Sequence, residues 1–287
     1  GTDFIAHIVR TFLAVQKALG HAAAALFVDV KNVFYSVVRQ RCFSVQDMGD
    51  EDIAHVFQSL HIGPEAMEEL AADIAQDNTI LAEYGIEPHL EKIVAEFHEE
   101  THFHTNGVQN PMETLKGTRP GVPLADVVYG FLMAKILKTV AKQMEVIDVL
   151  AKVPADGSKH LVATDATDGQ QDVTNATWAD DTVFLIEADN SVALEARLTI
   201  VVEIVQEVFQ KHGLRINFAK GKTEALVAFR GQGAVSRSQS LLVNRGAKLK
   251  FGKGQDLNIV FEYQHLGGHV DWKNSMRKEI AVRHGQA

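Results

Sequence analysis

Two stretches of this sequence leave few folding options. Ala22–Val28 reads AAAALFV and runs straight into Asp29, while Trp178–Ile186 reads WADDTVFLI, with Asp180 and Asp181 set among apolar, β-prone residues. Both fall well short of the ~20 apolar residues that span a bilayer. The first is apolar without alternation, as in a strand buried on both faces, although its length alone leaves a buried helix open. An ionised carboxylate in such surroundings is costly unless it is paired or binds a cation. The chain must therefore bring Asp29, Asp180 and Asp181 to the margin of an apolar core and give them partners.

The remaining pattern fills in around these runs. Phe34, Val37, Val38 and Arg41 have helical spacing. Residues 44–110 read as several helices punctuated by Gly63-Pro64 and Gly85…Pro88, with Pro64 suited to a first helical turn because its missing N–H has no partner there. Gly117–Pro123 holds two glycines and two prolines and reads as a loop. Val127, Phe131, Leu132, Ile136, Leu137 and Val140 predict one face of a long helix over 126–144. Residues 151–175 are polar, a loop or weak hairpin. Asp180-Asp181 is predicted at a hairpin tip, because Asp tolerates tight-turn backbone better than most residues. Leu194, Leu198, Val201, Val205 and Val208 predict a helix that stops at Gly213. Shorter strands follow over 226–229 and 257–261. Helices and strands alternate irregularly, which predicts an α+β fold rather than a doubly wound parallel sheet.

Composition narrows the class. The chain has 287 residues, 46% of them hydrophobic and 23% charged, which are globular values. A single cysteine, Cys42, excludes an internal disulfide and any multi-cysteine metal site. The N-terminal residues Gly1-Thr2-Asp3-Phe4 lack the pattern of a signal peptide, so an intracellular, soluble protein is expected, nuclear or cytoplasmic. The net charge of −9 argues at first against a nucleic-acid partner. Its distribution argues otherwise. Residues 211–287 carry 14 Lys/Arg against 5 Asp/Glu, whereas residues 44–110 carry 15 Asp/Glu against the single Lys92.

The three carboxylates are hard ligands suited to Mg²⁺ or Mn²⁺, and two such ions ~3.5–4 Å apart can clamp the attacking and leaving oxygens of a phosphoryl transfer. Taken singly, Asp29 could just end a strand and Asp180-Asp181 just form a turn. The order of motifs says more. Phe27-Val-Asp29-Val-Lys-Asn-Val-Phe34, Gly117-Thr-Arg119-Pro-Gly121-Val-Pro123-Leu124, Trp178-Ala-Asp180-Asp181, Gly213-Leu-Arg-Ile-Asn217 with Lys222-Thr223-Glu224, and Tyr263-Gln-His-Leu266-Gly267 together resemble reverse transcriptases of the non-LTR retrotransposon type. The resemblance covers residues 1–270. It implies a polymerase palm, an antiparallel sheet backed by helices, with partial helical fingers that include an insert at about 44–110. Residues 271–287 would start a thumb or connector.

The resemblance also implies roles. Asp29 and Asp180 would coordinate two Mg²⁺ (or Mn²⁺) ions, with Asp181 beside them and the backbone carbonyl of Val30 as a further ligand. Phe34 would exclude a ribose 2′-hydroxyl, its alternative being a core aromatic. Arg119, Gly121 and Pro123 would line the nucleotide and template side. Lys222 would face the nucleotide phosphates, and Tyr263, Leu266 and Gly267 would grip the primer. The implied partners are an RNA template, a DNA primer and deoxynucleoside triphosphates. Departures are visible: Trp178 replaces a Tyr or Phe, Pro120 stands where many relatives carry Gln, Ala125-Asp126 replaces Ser-Pro, and the earlier fingers strands are not evident. A catalytically silent palm acting as a nucleic-acid-binding or assembly scaffold is the competing class. An RNA-dependent RNA polymerase is disfavoured by Phe34 and by Ala179 before Asp-Asp.

Other signals carry less. Gly221-Lys222-Thr223 lacks the earlier glycine of a P-loop, since position 216 is Ile216. His98, His102 and His104 have no fourth ligand spaced for zinc and read as helix-end histidines. Asn175-Ala-Thr177 would matter only in a secreted protein. The acidic run reads as the solvated faces of helices.

Overall fold

Strand formation begins where the sequence demands it: all seven residues of β1 (Ala22–Val28) are buried. The computed structural model describes residues 2–45, 50–76, 78–103, 107, 110–118, 121–155, 169–265, 268–273 and 275–285. Before β1 lies helix α1 (Thr2–Leu19), and after it the single turns α2 (Val33–Ser36) and α3 (Arg39–Cys42). Next come α4 (Asp50–Leu60), α5 (Pro64–Ala75), α6 (Ile80–Glu83), α7 (Pro88–His98) and the two-residue strands β2 (His102–Phe103) and β3 (Met112–Glu113). Helix α8 (Pro123–Val146) precedes β4 (Ala151–Ala155), β5 (Gly169–Val173), β6 (Asn175–Trp178) and β7 (Asp181–Ala188). Then follow α9 (Ser191–Lys211), β8 (Glu224–Ala228), α10 (Ala234–Ser238), a π-helical turn at Gln239–Asn244, β9 (Lys248–Phe251) and β10 (Gln255–Val260). The last elements are β11 (Glu262–His265), β12 (Gly268–Asp271) and α11 (Arg277–Gly285). Among the described residues, no helix is long and apolar enough to cross a membrane.

Two compact units emerge. The first combines Gly1–Asp29, Ala141–Ile204 and Asn217–Ala287; the second combines Val30–Val140 and Val205–Ile216. The first unit holds a six-stranded sheet in the order β6-β7-β1-β8-β10-β9. β1 lies antiparallel to both β7 and β8. The sheet is mixed, however, and departs from the antiparallel one that the family resemblance implied, because β10 runs parallel to β8. Parallel neighbours need a long crossover, and α10, the π-turn and β9 supply one here. Helix α1, which the sequence pattern had not singled out, lays Ile5, Val9, Phe12 and Leu13 against Ala23, Ala25, Phe27, Val183 and Leu185. Those positions recur at i, i+4, i+7 and i+8, the stripe of a core-facing helix.

The second unit is mainly helical. Pro64 and Pro88 each open a helix as their sequence context predicts. The predicted helix through Phe34 and Arg41 is broken into α2 and α3, because Val37 and Val38 are extended. On α8 the buried positions include Ala125, Val128, Tyr129, Leu132, Met133, Ile136, Val140 and Met144, and Val127 is 51% exposed rather than on the core face. α9 stops as expected: Gly213 has φ +77°, and Leu214 N–H returns to Phe209 O. Cys42 is buried, and burial pushes its thiol up to about 12, so the one cysteine is an inert thiol.

Arg39 is buried and holds the β2–β3 region through a fan of hydrogen bonds. Its Nε donates to Gly117 O (2.7 Å), Nη1 to His98 O (2.9 Å) and Thr114 O (2.7 Å), and Nη2 to the hydroxyls of Thr101 and Thr114 (both 2.9 Å). Glu91 is an acid of the 44–110 run that the solvated-face expectation misplaces. It is buried, and its Oε1 accepts from Ser44 N–H (2.8 Å) and the Thr79 hydroxyl (2.7 Å). Replacing Arg39 by Met strands several buried acceptors at once. Urea unfolding should report a loss of about 3 kcal/mol, and an unchanged midpoint would show that these bonds contribute nothing net.

Candidate functional site

The site is built at one end of the sheet in the first unit. β1 delivers Asp29 one residue beyond its last residue, Val28. Val28 pairs with Thr182 of β7, so continuing the register sets Asp29 opposite Asp181. Directly opposed residues of antiparallel strands have Cβ atoms about 5 Å apart. β6 and β7 form the expected hairpin, closed by the pair Trp178 and Asp181. The strained position differs from the one predicted. Ala179 takes the left-handed backbone (φ 54°), while Asp181 is already the first residue of the strand and Asp180 occupies the exposed tip. A two-residue turn needs φ > 0 at its first position, and that position is Ala179.

The carboxylates feel one another. Asp181 is held above the ordinary carboxylate range, first by partial burial and then by the negative charges of Asp180 and Asp29, with Lys222 opposing. Asp29 is gripped by the segment between α9 and β8. Asn217 Nδ2 donates to its Oδ2 (3.0 Å), and the Lys222 ammonium donates to its Oδ1 (3.2 Å). The backbone is clamped too: Asp29 N–H donates to the Thr223 hydroxyl (3.0 Å), and Asn217 N–H donates to Asp29 O (2.8 Å). Thr223 is fully buried, and its own N–H returns to Asn217 O (2.9 Å). Residues 217–223 thus form a collar around Asp29, anchored once more by Gly221 N–H on Glu224 Oε1 (2.7 Å).

Tyr263 supports the collar from behind. Its ring stacks on Phe27 at 4.1 Å with planes 9° apart, and its hydroxyl donates to Lys222 O (2.7 Å). Burial and the charges of Glu224, Asp29 and Asp181 push this phenol up to about 12, so it remains a donor. The structure therefore brings together Asp29, Asp180, Asp181, Lys222 and Tyr263. Asn217, Thr223 and Glu224 join them. These three lie within the quoted motif runs, but their contacts with Asp29 and the collar could not be read from spacing.

The other expected residues lie in the second unit or outside the described residues. Val30, Phe34, Gly121 and Pro123 are in the second unit. Val30 forms a bridge with Ile216. Phe34 is half-buried, its ring tilted 53° against Tyr129 at 5.2 Å. Its backbone is pinned by Thr118 N–H on Phe34 O (2.7 Å), next to Gly117. A Cβ on Gly117 would come within 2.9 Å of Phe34 O and of Tyr35 Cα, so here glycine is required by close backbone approach. Gly121 has φ +87° with open space around it, and Pro123 starts α8. Arg119, Leu266, Gly267 and His104 lie outside the described residues. His98 ends α7 with Nδ1 on Val94 O, and His102 bonds Glu100 O, so neither points to zinc.

The donor set is one of hard oxygens in mutual repulsion, partly offset by one ammonium, and it suits a hard divalent cation. No protein-family model matches the chain, and no curated protein matches it either.

The raised Asp181 makes a prediction about stability. A folded state that favours the protonated carboxyl is weakened at pH values above that group's folded range, and this weakening vanishes once the group is protonated in both states. Asp181→Asn should therefore raise stability at pH 7 by about 0.5–1 kcal/mol and leave it unchanged near pH ~3. Thermal unfolding at the two pH values checks this. A variant less stable than the parent at pH 7 would contradict it.

Proposed function

We propose that this chain is an RNA-directed DNA polymerase domain of the reverse-transcriptase type, adding deoxynucleotides to a primer 3′-hydroxyl. One observation carries the reading: β1 and the β6–β7 hairpin deliver Asp29, Asp180 and Asp181 to one sheet end, close enough for their charges to interact. The motif order that suggested a palm supports it independently. Mg²⁺ or Mn²⁺ held by Asp29 and Asp180, with Asp181 beside them, would supply the Lewis acidity and charge neutralisation of a two-ion phosphoryl transfer. In that transfer the primer oxygen bonds to the α-phosphorus of the incoming nucleotide, its proton is lost, and the bond to pyrophosphate breaks.

The chain's own residues have definite tasks. Asn217 and Lys222 orient the Asp29 carboxylate, one on each oxygen. The Lys222 side chain is half-exposed, and with a cation on Asp29 its ammonium would be available to the nucleotide phosphates. Tyr263 fixes the Lys222 backbone and so the collar's position. Exposed Lys220, Lys248, Lys250, Lys253 and Lys273 of the basic C-terminal quarter serve the phosphate backbones of template and primer.

Asp29→Asn keeps the size of the side chain and removes its charge. On an RNA template with a DNA primer, Mg²⁺ and deoxynucleotides, it should lower extension by at least ~10³-fold, the scale for loss of a preorganised electrostatic group. Unchanged extension would sink the assignment. Equal use of ribonucleotides would point to an RNA polymerase, and salt-dependent binding without incorporation would select the silent scaffold.

A further inference from the structure

The opposite end of the same central strand pair carries a second constellation. His21 directly precedes β1, Glu187 lies near the end of β7, and Asp189 follows that strand. The pairing of Ala22 with Ala188 brings the three together. One imidazole nitrogen and one oxygen from each carboxylate lie within 4.8 Å of one another. His21 Nδ1 is 3.4 Å from Glu187 Oε2, and His21 Nε2 is 3.9 Å from Asp189 Oδ1.

Two further observations point to a cation. First, the imidazole is set up as a ligand. Buried Gln16 donates through Nε2 to Lys152 O (2.9 Å), which leaves its Oε1 to accept from His21 Nδ1 (3.2 Å). That bond places the proton on Nδ1 and leaves the Nε2 lone pair open, the usual second-shell arrangement of a metal-binding histidine. Second, Glu187 is buried, with its side chain 9% exposed, and its Oε2 has no hydrogen-bond partner. Arg197 sits on the other oxygen, Oε1, at 3.2 Å, and on Glu187 O at 2.9 Å. A buried carboxylate oxygen facing a ring whose Nδ1 proton is already engaged calls for a positive charge.

The spacing suits an ion rather than direct bonds. A separation of 3.9 Å between Nε2 and Oδ1 is too long for a hydrogen bond, and it exceeds by about half an ångström the spacing of two ligands ~2 Å from a tetrahedral ion, so Asp189 has only a short way to close. Asp189 is 90% exposed, so its side chain is free to close on the ion and marks the entry path. One nitrogen and two oxygens without sulfur are a donor set that fits Zn²⁺, with water as fourth ligand.

We propose that His21, Glu187 and Asp189 form a Zn²⁺ site that ties the α1–β1 turn to the β7–α9 turn. The seven residues of β1 separate His21 from Asp29, about 26 Å over eight residue rises, and the site is chemically separate from the proposed polymerase centre. The test is calorimetric titration of the chelator-treated full chain with Zn²⁺, in excess Mg²⁺ to occupy hard-oxygen sites. One equivalent should bind, at least tenfold more weakly in Asp189→Asn and not measurably in His21→Ala. Asp189 is exposed, so its variant keeps the test valid should His21→Ala fold poorly. Binding of no equivalent, or of one whose affinity is the same in the parent and in Asp189→Asn, would reduce the trio to an ion pair only. Primer extension by Asp189→Asn should equal that of the parent, so this site and the polymerase reading fail separately.

Discussion

Everything in the first unit is arranged around a strand with no polar side chain. β1 is buried along its whole length and antiparallel to β7 on one side and β8 on the other. Such a strand satisfies its backbone only inside a sheet, and it can carry a charge only at its ends. Asp29 stands at one end and His21 at the other, so the chain's polar chemistry is pushed to the two margins of an apolar slab. At the Asp29 margin the cost of burying acid is met by the collar of residues 217–223. Two hydrogen bonds and an ion pair lie there within a few residues, and Thr223 and Tyr263 hold the collar in place.

This arrangement leaves the site with unspent repulsion. Asp181 is disfavoured as an anion by its surroundings and by its acidic neighbours, and Lys222 offsets this only in part. Ala179 adds a left-handed residue at the hairpin tip, where a side chain costs about 1 kcal/mol. Strain and like charge gathered in one place are what a fold tolerates when a cation relieves them, and this is the physical basis of the proposed two-ion chemistry.

Much of this was legible in the sequence. The AAAALFV run, the hairpin around Asp180-Asp181 and the helix stop at Gly213 follow from local rules, because burial on both faces, turn chemistry and a C-terminal glycine each act within a few residues. What escaped acts over distance or against local pattern. Asn217 reaches an aspartate 188 residues earlier, and spacing carries no trace of that. Arg39 is buried because five acceptors from separate segments converge on it, and no local pattern signals that. Val127 looked like core and faces solvent, because the buried stripe of α8 runs through Val128 instead. Helix α1 obeyed an ordinary amphipathic rule that the opening residues display plainly. The formal charge of −9 was least informative, since the acid of residues 44–110 falls in the second unit and most of the basic quarter falls in the first.

The central claim is that Asp29 and the hairpin aspartates together hold divalent ions. Mn²⁺ binding to the full chain, followed by electron paramagnetic resonance with template–primer and a deoxynucleotide present, addresses it directly. Two ions per chain are expected in the parent, with at least one lost in Asp29→Asn and in Asp180→Asn. Binding of no ion, or occupancy unaffected by either substitution, would contradict the account.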